Sequence, residues 1–386
     1  MSAAPHPAAP DYGRQSLSRL LPAVTASLGV PVDERWQDGD LVDLPPARSS
    51  VVVLVDGLGE RLLRRRSGHA PFLRGLLPGA EPSSAGFPST TATSMGSFGT
   101  GRTPGEHGLL GYEVLVPGED RVFNELSWED GPSPRMWQPS ETVFAGAARQ
   151  GIEVVRIGPG FFDGSGLTEA ALRGGRFVAA DTLAQRVDAA LAALRAGPRT
   201  LVYLYWGDLD KVGHVHGCES WQWGDELEAI DAEMARLARS LPGDTSLHIT
   251  ADHGMVDVPL HHRLDLAHDA ELDAGVRHLG GEARALQLYV EDGAVGDVLT
   301  TWRERLSGTA AVVSRDEAIA AGWFGGVTDV NAARIGDVIA AMTGQFAVVD
   351  SRRQRKQLLE LLGLHGSLSA DELAIPWLRV PARTNA

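Results

Sequence analysis

Cysteine is almost absent. Cys218 stands alone among 386 residues, which rules out an intrachain disulfide and any fold that depends on one. Lysine is nearly as scarce: Lys211 and Lys356 are the only two, and the remaining cations are arginine. Acidic residues outnumber basic ones, 50 against 35, for a formal net charge of −15. Non-specific binding to nucleic-acid polymers draws its affinity from neutralising phosphates with Lys and Arg, so this balance argues against it. Long apolar runs are missing as well. None approaches the roughly 20 residues needed to span a bilayer. Residues 1–30 lack the basic start and continuous apolar core of a secretion signal. The expectation is a cytoplasmic protein without membrane contact; oligomeric state leaves no mark on the sequence.

Ordinary globular composition is present, with 43% hydrophobic residues. The length exceeds a usual single core. We expect an N-terminal segment 1–45, a catalytic core 46–255 and 345–386, and an inserted α+β lobe 256–344 that shapes the substrate pocket, with Trp302 and Trp323 contributing. Residues 51–55 form a continuous β-branched and leucine run, the pattern of a strand buried on both faces, and Asp56-Gly57 ends it. Residues 152–157, 201–206 and 246–250 repeat that logic. Apolar stripes predict helices over 182–195 and 226–241. Strand and helix in alternation predict an α/β fold, a largely parallel sheet with helices on both faces.

Chemistry-bearing residues fall where apolar runs give way to small loops. Asp56 follows the first strand, where open α/β sheets present ligands; alone it would read as a turn or cap residue. Thr90, Thr91, Thr93 and Ser94 crowd the start of a predicted helix, where backbone N–H groups and the helix dipole favour phosphate and a developing alkoxide. Asp210 and His214, four apart beyond the third strand, can meet one cation, with Asp208 and His216 as rivals. Asp252-His253, closed by Gly254, is the most specific single signal. Arg102 and Lys211 lie near these motifs, and Trp206, Trp221 and Trp223 flank the Asp210 loop, where they could stack on a base or simply pack.

A strand followed by "DG", then "PSTT", "TGRTPGEHG", "DKVGH", "DHGM" and a late "HG", resembles the type I phosphodiesterase/nucleotide pyrophosphatase family of the alkaline phosphatase superfamily, over roughly residues 51–377. The resemblance implies an α/β/α sandwich with a small anionic phosphate ester as substrate. It implies two divalent metal ions, zinc above all, with manganese compatible. Asp56, Asp252, His253 and Thr91 would hold one metal, and Asp210, His214 and His365 the other. Thr91 would be the nucleophile, with Thr90 as runner-up, giving a covalent phosphothreonine or nucleotidyl-threonine. His107 matches a loop histidine that is not a ligand; His261, His262 and His268 match no ligand position. The family's phosphate-contacting Asn, expected three residues after the nucleophile, is replaced by Ser94, which would then donate to a phosphate oxygen. A sulfatase is excluded, since Thr91-Ala92-Thr93-Ser94 lacks the Cys/Ser-x-Pro-x-Arg setting. A phosphomonoesterase or phosphonate hydrolase remains compatible. An inactive binding protein on the same scaffold is the alternative of another class, against which the full ligand set and Thr91 argue.

Overall fold

The structure is a computed structural model and describes residues 7–30, 39–80, 82–197 and 199–383. Parts of the expected N-terminal segment (1–6 and 31–38) and of the expected core (81, 198 and 384–386) lie outside the described residues.

Ten strands and five helices carry the argument. The strands are β1 (Ser49–Val55), β2 (Glu153–Gly158), β3 (Arg176–Ala179), β4 (Thr200–Trp206), β5 (Thr245–Thr250), β6 (Val276–Glu282), β7 (Ala285–Val290), β8 (Ala310–Ser314), β9 (Val338–Met342) and β10 (Trp377–Val380). The helices are α1 (Leu17–Ser27), α2 (Thr91–Thr100), α3 (Leu183–Ala196), α4 (Asp208–His216) and α5 (Trp221–Ser240). The main sheet has the order β10-β5-β1-β4-β2-β3. Its members run parallel except β10, which pairs antiparallel with β5 at the edge. Every residue of β1 is buried, as its β-branched run requires in a central strand. Register places Val55 beside Trp206 and Leu54 beside Thr250, so β1, β4 and β5 end together at one edge. The structure is thus α/β, built on a large, mostly parallel central sheet.

Two features depart from the sequence expectations. Helix α1 is not an appendage: Leu17, Leu20, Leu21 and Val24 are fully buried within the same apolar cluster as Val51–Val55. The Asp210/His214 segment is a helix, which sets the two side chains one turn apart on one face.

A second, antiparallel sheet (β6-β7-β9-β8) carries its own apolar cluster around Leu288, Trp302 and Val338. Trp302 and Trp323 are both fully buried, so neither lines a substrate pocket. Trp302 is packed in the second cluster with its indole N–H on the Leu272 carbonyl. The turn between β6 and β7 is pinned to the segment after His365. Arg284, with no solvent exposure, makes two 2.7 Å bonds to the carboxylate of Glu372, itself fully buried. Removing one partner strands a buried charge. Arg284→Met should therefore cost about 3–5 kcal/mol in a chemical denaturation experiment; a loss under about 1 kcal/mol would show that the pair does not hold the two regions together.

Candidate metal centre

Three strand ends and two returning segments converge on one spot. Asp56 leaves β1, Asp252-His253 leaves β5, and α4 starts just beyond β4. Gly57 (φ +72°) lets α4 come close: a Cβ there would sit 3.1 Å from the Asp210 Cβ and 3.2 Å from its Cα. His365 arrives from the far end of the chain, joined to the segment before α2 by a bridge between Ser89 and Gly366.

Two three-residue groups result, each with its donor atoms within 4.8 Å of one another: Asp56, Asp252 and His253, and Asp210, His214 and His365. In the first, His253 Nε2 lies 3.4 Å from both Asp56 Oδ1 and Asp252 Oδ2, and 3.3 Å from Thr91 Oγ1. In the second, His214 Nε2 lies 3.2 Å from Asp210 Oδ2, and His365 Nε2 4.0 Å from Asp210 Oδ1. The rings of His253 and His365 stack at 3.7 Å, which joins the groups into one centre.

The pattern of used and unused atoms fits cations. All three histidines place Nδ1 against a backbone carbonyl: Gly363 for His214 (2.7 Å), Gly254 for His253 (3.0 Å) and Ser89 for His365 (3.0 Å). A carbonyl can only accept, so Nδ1 carries the proton and each Nε2 lone pair faces inward. The carboxylates behave alike. Asp56 Oδ2 accepts from the Tyr205 hydroxyl, and Asp252 Oδ1 accepts from the N–H groups of Gly57 and His253. Asp56 Oδ1, Asp210 Oδ1 and Asp252 Oδ2 are buried without a hydrogen-bond partner. Buried anionic oxygens are rarely left so unless a cation takes them.

Electrostatics agree. Burial, then the neighbouring Asp252 and Asp210, push the Asp56 carboxyl well above its usual range. Burial and Asp210 raise Asp252 to about 7. Burial also works against Asp210, but His214, His365 and His253 outweigh it and hold Asp210 below the ordinary value. His214 rises to about 9, the pull of Asp210 exceeding the effect of burial. A cluster of this kind is costly as it stands and suited to divalent ions.

The profile of the type I phosphodiesterase / nucleotide pyrophosphatase family matches residues 50–368. The chain belongs to this family. Family membership supports phosphoester hydrolysis, and the family is metal-dependent. Among solved structures the fold is similar to murine ectonucleotide pyrophosphatase / phosphodiesterase 5, with a TM-score of 0.68 and 18% identity over 86% of this chain and 87% of the other. An inactive form of that murine protein in complex with AMP matches with a TM-score of 0.67 and 17% identity over the same shares. Phosphonoacetate hydrolase from Sinorhizobium meliloti 1021, in complex with phosphonoacetate, matches with a TM-score of 0.68 and 18% identity, over 89% of this chain and 92% of that one.

In this phosphodiesterase-family chain the remaining expected residues scatter. Thr91 opens α2 and is its one residue that is not buried, whereas Thr90 is 1% exposed. Ser94 departs from expectation: it is fully buried and donates to the Asp252 carbonyl at 2.8 Å, so its hydroxyl is turned from any phosphate. A hydroxyl one helical turn after Thr91 points into the strand-end packing, where the Asp252 carbonyl is the acceptor within reach. The rival ligands Asp208 and His216 stay outside both groups; Asp208 instead pairs with Lys211 at 2.6 Å in solvent. His107 is buried, accepting from the Leu109 N–H and bonded to Ser97; burial, then Arg334 and Arg102, lower it to about 3. His261, His262 and His268 are exposed. Trp223 is core and Trp206 donates to Glu226, which leaves Trp221, 70% exposed, as the open ring of the three. Two neighbours of the centre escaped the sequence reading: Tyr205, whose strand pattern marks only burial, and Glu282, which lies 83 residues before His365 and carries no motif.

No helix among the described residues is long and apolar enough to cross a membrane.

Proposed function

We propose that the chain is a two-metal hydrolase of phosphodiesters or nucleotide pyrophosphates, working through a covalent threonine phosphodiester (a nucleotidyl-threonine for a nucleotide substrate). The observation that carries this reading is the pair of donor groups meeting at the His253–His365 stack, with Thr91 Oγ1 3.3 Å from His253 Nε2. Asp56, Asp252, His253 and Thr91 would hold one ion, and Asp210, His214 and His365 the other. Imidazole and carboxylate donors suit zinc, and manganese is compatible. When bound, two such ions would supply Lewis acidity, favouring the ionised threonine hydroxyl and offsetting charge on phosphorus oxygens.

The side chains and backbone do the rest. Thr91, placed first in α2, directs its oxygen at phosphorus; its proton passes to solvent, the P–O bond to the leaving group breaks and a threonine phosphate ester forms. The leaving group departs as an alkoxide or phosphate that takes up a proton from water as its pKa requires. Water then cleaves that ester and regenerates the hydroxyl. The first N–H groups of α2 have no capping side chain and face the same region, where they can receive non-bridging oxygens. Ser94 acts from behind by fixing the Asp252 backbone. Lys211 is engaged with Asp208 in solvent.

Protein loaded with zinc should cleave bis(p-nitrophenyl) phosphate at least about tenfold better, in kcat/KM, than p-nitrophenyl phosphate. The reverse preference would move the enzyme to the monoesterase side. Turnover of phosphonoacetate, the ligand held by one structural neighbour, in place of either ester would make it a phosphonate hydrolase.

A further inference from the structure

Among the described residues, Glu282 is a carboxylate beside the centre that the proposed chemistry leaves unused. It ends β6, so the second sheet, not the main one, delivers it. Its side chain is 14% exposed, and Oε2 lies 3.4 Å from His365 Nδ1. The hydroxyl of Thr90, the N-cap residue of α2 that precedes Thr91, lies close enough to favour the charged form of the carboxylate. Its other oxygen, Oε1, is buried without a hydrogen-bond partner.

Room has been made for this group. Gly366, next to His365, has φ +126°, and a Cβ there would come within 2.8 Å of the Glu282 Cγ and Cδ. The adjoining turn of the hairpin holds the side chain in place. Two residues on, Arg284 grips Glu372, and Glu372 Oε1 in turn accepts from the Ser367 N–H at 2.9 Å. The tip of the β6–β7 hairpin and the loop bearing His365 are thus locked together on both sides of the imidazole. The Nδ1 proton of His365 goes to the Ser89 carbonyl at 3.0 Å, and Glu282 Oε2, 3.4 Å away on the same side, adds charge and packing behind the ring, which steadies it and makes Nε2 a better donor.

We propose that Glu282 is a positioning residue of the metal centre, holding the His365 imidazole from behind so that Nε2 stays directed at the ion shared with Asp210 and His214. This rests on the two-metal reading above. The second sheet then completes the metal centre as well as bordering it, and the ion beside His365 depends on the docking of the β6–β7 hairpin.

The test is metal affinity. Full-length protein stripped of metal, with the variants Glu282→Gln and Glu282→Ala and the control Asp210→Ala, is titrated with zinc against a chromophoric chelator, and folding is checked by melting temperature. Glu282→Ala should weaken one of two ions by about 10–100-fold and leave the other within about threefold; Glu282→Gln, nearly the same shape without the charge, should fall between. Wild-type affinity for both ions in the two variants would overturn the proposal, as would equal weakening of both ions, which a general loosening produces. If the alanine variant does not fold, the glutamine variant decides alone. A wild-type chain that takes up fewer than two ions overturns the two-metal reading itself, and this proposal with it.

Discussion

Thr91→Ala should lower kcat on the best diester substrate by about 10³-fold or more, with metal content and melting temperature little changed. The size follows from the role. A residue that forms and then releases the covalent bond cannot be replaced by better binding, so its loss falls on kcat rather than on KM. Geometry separates Thr91 from its neighbours. Thr90 is buried, Thr93 has no exposure, and Ser94 is committed to the Asp252 carbonyl. Among these hydroxyls Thr91 is the one whose oxygen meets a side-chain donor atom of a metal-ligand candidate, at 3.3 Å from His253 Nε2. Thr91→Ser keeps an oxygen at the same place and should retain most of the activity. Acid quenching of wild type during turnover of bis(p-nitrophenyl) phosphate should trap a p-nitrophenyl phosphoryl group on a peptide containing Thr91. If Thr91→Ala keeps more than about a tenth of wild-type kcat, attack on phosphorus comes from water and the covalent reading is wrong.

How much of the fold and site is legible in the sequence depends on the range of the interaction. The central strands carry a local signature, since burial on both faces demands an uninterrupted apolar run, and the runs at 51–55, 201–206 and 246–250 fall within the observed strands β1, β4 and β5. Asp56 and Asp252 stand out because a carboxylate directly after such a run must sit at the sheet's carboxyl edge. Strand β10 gives no such signal. It is four residues long at the sheet edge, and its pairing with β5 spans more than a hundred residues. The same holds for Tyr205 and Glu282, whose places near Asp56 and His365 are set by tertiary packing. Ser94 shows the opposite failure. Its spacing from Thr91 suggests a ligand contact, but in a helix a position three residues on from an exposed first residue can already face the core. Trp302 and Trp323 suggest a pocket because of their size, and size is also what makes them core residues.

Removing the metal should abolish activity and leave a centre whose raised carboxylates and His214 contribute less to stability as pH rises, while His365, held well below its usual range by burial and then His253, works the other way. The sign follows from the carboxylates. Burial and neighbouring charge raise Asp252 to about 7 and Asp56 well above its ordinary value. A group raised in the folded state contributes stability that is fully present below its unfolded pKa, near 4, and lost as pH climbs through the folded value. Metal-free protein therefore loses stability between about pH 4 and pH 7 through Asp252. His214, raised to about 9 by Asp210, extends the loss: its contribution is present below about pH 6.5 and disappears as pH passes through the folded value. Cations need these same donors without their protons, so metal binding strengthens over the same window. Each ion bound to the folded chain alone adds about 4 kcal/mol when free metal exceeds Kd by about a thousandfold. The gap in melting temperature between metal-loaded and chelated protein should accordingly widen from about pH 5 to about pH 9. Melting curves at three pH values, with and without chelator, check this. A gap that stays flat or narrows would mean that the three aspartates do not share their site with cations, and a chelated protein that still turns over diester would separate the donor cluster from catalysis altogether.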